Sequence, residues 1–219
     1  MVEEKPVIGA ARTARSTSVK VSTAATTITF AAMVICSAAS SAQAKTVSIS
    51  EHTRTYRVSG NTVQAVVKSM KRNGPNSELH GRRARAMADY RVRTSVATQR
   101  SEGRCIVKGA KVSMRISYIV PKLTNSSRLS PGHLNRWRKI KSMIVRHENQ
   151  HGRYYRTFAH QLQAALASIR PQQSCSQVRV LEKKITKRLK AQSIRRNRNY
   201  DRGQYAPFNR RLKNLAPKR

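Results

Sequence analysis

A chain of 219 residues has room for one domain with appendages. Its 45 Lys and Arg against 9 Asp and Glu give a formal charge of +36, a surface that attracts polyanions of any kind. With three Phe, one Trp and seven Tyr, and no helix-turn-helix, finger or aromatic RNA-binding signature, it bears no mark of specific nucleic-acid recognition.

Residues 1–44 read as a signal peptide. Lys5, Arg12, Arg15 and Lys20 precede a small, apolar run at residues 28–39, and Ala42-Gln43-Ala44 forms a small-x-small cleavage site after Ala44. A retained signal anchor is the alternative, but the run is short for a membrane span. Ile35 is large for the position before a lipidated cysteine, so Cys36 is not read as a lipid site. The stretch before the apolar core is long, which suggests a true start later than Met1. Export predicts a periplasmic or secreted protein, and removal of the leader lowers the charge from +36 to +34. Cys105 and Cys175 then remain as a pair in an oxidising compartment, which predicts one disulfide closing a loop of about 70 residues, worth roughly 4 kcal/mol.

The body of the protein is expected at residues 45–206. Residues 54–60 (RTYRVSG) read as a short strand ended by Ser-Gly. Residues 61–75 read as a helix capped by Asn61 or Thr62, with Val63, Val66, Val67 and Met70 on one face and Asn73-Gly74-Pro75 as its stop. Residues 85–97 alternate as a strand. Residues 104–121 read as a hairpin turning near Gly109, its second arm half buried through Val112, Met114, Ile116, Tyr118 and Val120. Together these predict an antiparallel sheet of three or four strands.

Ser130 and Pro131 open a long helix that the pattern carries to about Ile169. Its stripe at spacings of three and four runs from Leu134 and Trp137 through His147, His151 and Tyr155 to Leu166. Gly152 interrupts it and suggests a bend. A C-terminal helix follows Cys175, with Val178, Leu181, Ile185 and Leu189 on a face that Glu182 shares. From Lys190 the chain is basic and poorly patterned, and residues 207–219 are expected to be a flexible basic tail.

Inside the long helix stands R-H-E-N-Q-H-G-R-Y-Y, residues 146–155. His147 and His151 are one turn apart, so both imidazoles project from one side and reach a single metal ion. Zn2+ accepts imidazole nitrogen, and Glu148 between the two ligands suits a general base acting on a water. A catalytic zinc site takes three protein ligands, and the third is open here. The extended H-E-x-x-H-x-x-G-x-x-H pattern fails, because Thr157 stands at its last position. Three candidates remain downstream, and the first, His160, nine residues past His151, faces the opposite side unless Gly152 bends the helix. The other two are Asp201, taken first, and Glu182, the runner-up, which faces inward on the C-terminal helix.

Several short segments, in this order, resemble one known family: YRVSG, SMKRNGP, GRRARAMADYRV, GRCIV, VSMRISYIVPKL, LNRWRKIKSMIVRHENQH, SC and YD, spanning about residues 54–201. The resemblance is to the bacterial domain-of-unknown-function family 922, usually described as predicted secreted zinc-dependent proteases. It implies an α+β, zincin-like fold, with a small antiparallel sheet packed on a long active-site helix and a C-terminal helix after it. It implies zinc on His147 and His151, Glu148 as catalytic base, and a Cys105–Cys175 bridge. Family members carry Tyr-Asp followed by Thr and His-Gly. Tyr200-Asp201 matches, but the chain continues RGQYAPF, so either Asp201 or Glu182 replaces any ligand histidine there, or the site is incomplete, binds zinc weakly and cuts nothing.

The function expected is a zinc metallopeptidase of the envelope or outside the cell, acting on a peptide or protein substrate. The alternative is a non-catalytic envelope protein on the same scaffold that binds anionic polymers or lipids through its charge. A dedicated nucleic-acid partner is not expected.

Overall fold

The computed structural model describes residues 47–77 and 82–217. The signal-peptide reading lies outside them. The order of the main elements is β1 (Val47–Val58), α1 (Val63–Asn73), β2 (Asn76–Ser77), β3 (Arg82–Arg83), β4 (Met87–Ser101), β5 (Arg104–Leu123), α2 (Pro131–Ala167) and α3 (Cys175–Leu215). The fold is α+β, a three-stranded sheet against two long helices.

The sheet order is β1-β5-β4. β4 and β5 are antiparallel, but β1 runs parallel to β5, so the sheet is mixed rather than antiparallel. The expected hairpin at Gly109 is also displaced. The chain turns at Glu102 and Gly103, whose φ angles of 50° and 71° are those of a two-residue turn that matches strand twist. Gly109 instead marks a bulge: Ala97 pairs with Gly109 and Thr98 with Val107, leaving Lys108 as the extra residue. Glycine thus signalled an irregularity within one 20-residue strand, not its end.

Even-numbered residues of β5 from Val112 to Val120 point inward, as the alternation predicts, and all are buried. The opposite face, with Arg91, Arg93, Lys111 and Arg115, is exposed. α2 starts as read, with Ser130 accepting from the His133 amide and Pro131 in the first turn. Thr62 caps α1 through the Ala65 amide. Cys105 and Cys175 are bonded, which ties the start of α3 to the start of β5.

α3 departs most from expectation. It is helical from Cys175 to Leu215, straight through the segment read as poorly patterned and the tail read as flexible past Pro207. Pro207 lacks a donor and crowds the carbonyl at Gly203. Packing holds the helix beyond it, with Leu212 only 6% exposed and Phe208 and Leu215 against the same core. That turn of hydrophobic residues was hidden by the Lys and Arg around it.

The interior forms two clusters. One gathers Met114, Ile116, Phe158, Leu162, Leu166 and Val178. The other gathers Val58, Val66, Met70, Trp137, Ile140 and Leu212. α2 and α3, running antiparallel, each pass from one cluster to the other. Where they cross the seam, their inward residues turn polar.

Candidate metal centre

At that seam α2 presents His147, Glu148 and His151, and α3 presents Ser193, Asn197 and Asp201, spaced by four residues so that they share one face. The structure brings together His147, His151 and Asp201. Asp201 Oδ1 lies 3.1 Å from His147 Nε2 and 2.9 Å from His151 Nε2. The two Nε2 atoms are 3.2 Å apart. His147, His151 and Asp201 thus form a group able to hold a metal ion. Glu182 is not part of it. Its carboxylate accepts from the Thr94 hydroxyl at 2.6 Å, and nineteen residues of helix, about 28 Å, separate it from Asp201. His160 is exposed on the far side of α2.

The donor set fits a zinc ion on distances alone. Tetrahedral ligands bonded at ~2.0–2.1 Å stand about 3.3 Å from one another, close to the three separations here. The tautomers fit as well. Asn197 is buried and its amide donates to the Ser193 carbonyl at 2.8 Å, which leaves Asn197 Oδ1 to accept from His151 Nδ1–H at 2.6 Å. With its proton on Nδ1, neutral His151 aims the Nε2 lone pair at Asp201 Oδ1, itself an acceptor. Two lone pairs 2.9 Å apart call for a cation or proton between them. The centre is also open on one side, since the side chains of His147 and Asp201 are 21% and 29% exposed.

In the metal-free protein the same geometry favours a proton in that place. Burial works against charge on His151, but the bonds to Asp201 and Asn197 prevail and raise its pKa above the ordinary 6.5. For Asp201, burial works upward, and the bonds from His147 and His151 outweigh it and hold the carboxyl far below 3.8.

Glu148 is 7% exposed. Burial pushes its carboxyl above the usual 4.5, against the pull of His147 and His151. The backbone N–H of Ala88 faces it from β4, and Tyr155 donates to the Ala88 carbonyl at 3.1 Å, so the sheet is pinned to α2 beside Glu148. Tyr200 stacks on His147 with ring centroids 5.0 Å apart and fixes that imidazole from the α3 side.

Gly152 does not bend α2, which is helical throughout. The Tyr118 hydroxyl packs onto its Cα, and a Cβ there would lie 1.9 Å from that oxygen. Tyr118 in turn donates to Glu51 at 3.1 Å, and Glu51 pairs with Arg156.

Residues 53–205 match the family described as "Bacterial protein of unknown function (DUF922)". The chain belongs to the DUF922 family. Comparison with curated proteins and with solved structures gives no match. The region matched in this DUF922 protein holds the whole His147, His151 and Asp201 group together with Glu148 and Asn197. Sequence reasoning assigned no site role to Asn197 or Ala88, and it marked Tyr200 only as the neighbour of Asp201. The signal available was the Ser193-Asn197-Asp201 spacing, three small polar residues on one face of an otherwise basic stretch.

Proposed function

We propose that this DUF922 protein is a zinc-dependent peptidase working outside the cytoplasm, with His147, His151 and Asp201 as zinc ligands and Glu148 as general base. The observation that supports it most is the convergence of two imidazole nitrogens and a carboxylate oxygen within 3.2 Å of one another, beside a buried carboxylate and open on one side. Three protein ligands with an open position are the pattern of a catalytic rather than a structural site. The Cys105–Cys175 bridge supports an oxidising compartment.

Bound zinc would supply Lewis acidity toward a water and a substrate carbonyl. Glu148 takes the proton of the attacking water, a role its raised pKa suits, and returns it to the leaving amine. Asn197 holds His151 in the tautomer that frees Nε2. Asp201 is the only carboxylate among the three ligands, and its negative charge partly offsets that of the cation.

Metal content by mass spectrometry tests the centre: near one zinc per wild-type chain, and none in the His147→Ala, His151→Ala double variant. Cleavage of a mixed peptide library tests the chemistry. Glu148→Gln should keep zinc and lose cleavage. A second reading, a non-catalytic polyanion-binding protein, draws on the exposed basic sheet face with Arg91, Arg93, Lys111 and Arg115. It predicts that neither wild type nor Glu148→Gln cuts anything, with partner binding that falls steeply as salt rises.

A further inference from the structure

About 20 Å along β4 from Ala88, at the six-residue distance of Thr94, a groove of about 590 Å³ opens between the inner face of β4 and the first half of α3. β4 contributes Thr94, Val96 and Thr98, and Val178 forms part of the floor. The wall is Arg179, Lys183, Lys187 and Lys190, and all four are exposed. None of them is in an ion pair among the described residues, and the one acid of the groove, Glu182, is bonded to Thr94.

We propose that this groove binds an acidic, extended peptide segment, and so names the substrate class of the metal centre. The spacing carries the argument. Arg179, Lys183 and Lys187 repeat every four residues of helix, about 6 Å apart. Side chains on one face of an extended peptide repeat every two residues, about 6.7 Å apart. Acidic residues at alternate positions therefore meet successive cations, while an apolar side chain finds Val96 and Val178 on the floor. β4 is an edge of the sheet, so its outer backbone groups have no strand partner among the described residues and can take up the peptide main chain. No aromatic ring lines the groove, which disfavours single-stranded nucleic acid, whose bases need stacking partners. The consequence for cleavage rests on the peptidase reading. With 20–28 Å between groove and centre, the acidic segment lies roughly six to eight residues from the bond cut.

Binding and cutting are read separately. Fluorescence anisotropy of the full chain uses a labelled twelve-residue peptide with Glu at alternate positions. The same peptide with Gln, and an oligodeoxynucleotide of equal net charge, serve as comparators. Lys183→Glu with Lys187→Glu should weaken the acidic peptide at least tenfold. Arg93→Glu with Arg115→Glu, the same charge change on the outer sheet face, should cost under twofold. Binding should persist in the His147→Ala, His151→Ala variant. Equal losses in the two charge-reversal variants overturn the groove in favour of general charge attraction. Tighter binding of the oligonucleotide, lost in the groove variant, replaces the peptide with nucleic acid. A chain that binds the acidic peptide through the groove and cuts nothing leaves the groove standing and sinks only the peptidase reading.

Discussion

Asn197 is buried behind His151, and it decides which nitrogen of that ring faces Asp201. Asn197→Ala removes the acceptor for Nδ1–H and leaves the ring free to turn or change tautomer. Zinc affinity, measured by competition with a chelator, should fall about 10–100-fold. Asn197→Asp, which keeps an acceptor at that place, should restore most of it. Gly152 gives a second test. Gly152→Ala forces a methyl onto the Tyr118 hydroxyl and should cost about 1–3 kcal/mol in urea unfolding. Tyr118→Phe in the same chain should recover part of that loss, because the clashing atom is gone. If Tyr118→Phe recovers nothing, the glycine is there for another reason. His147, Glu148 and His151 were legible in the sequence because their spacing follows from one turn of helix. Asp201 was legible only as one of two acids, since choosing between them required knowing that α3 continues.

At the level of elements, α2 announced itself through a serine cap, a proline and a long apolar stripe. α3 did not, because its second half makes its tertiary contacts with single residues, Asn197, Asp201, Phe208 and Leu212, set among arginines. Sheet direction was illegible for a different reason. Alternation reports which face a strand buries, not whether its neighbour is parallel, so β1 gave no sign of its parallel pairing with β5. Leu212 measures how much the last turns of α3 matter. It is nearly fully buried against Trp137 and Ile140, and Leu212→Ala should destabilise the protein by about 2–4 kcal/mol. An exposed neighbour, Lys213→Ala, should stay within about 0.5 kcal/mol. Equal, small effects at the two positions would return this segment to the status of a loose tail.

For the molecule as a whole, the centre links stability to pH. The raised pKa of His151 means that its contribution is fully present below 6.5 and is lost as pH rises through the higher folded value. Glu148 acts in the same direction from 4.5 upward, because burial favours its protonated form. Asp201 acts oppositely: its contribution is present above 3.8 and is lost only at more acid pH. Metal-free protein should therefore melt at a higher temperature at pH 5 than at pH 8. On the proposed reading zinc would compete with the same protons, so its stabilising effect should be small at pH 5 and large at pH 8. A zinc-induced shift in melting temperature that is the same at both values would place the metal elsewhere.

The seam between the two clusters has a consequence in time. The three donor groups sit on two helices, and Asp201 comes fifty positions after His151 in the chain. Until α3 folds back along α2, the two histidines have no carboxylate partner and Glu148 has no burial on that side. The complete donor set is therefore a late product of folding, present only once α3 lies along α2.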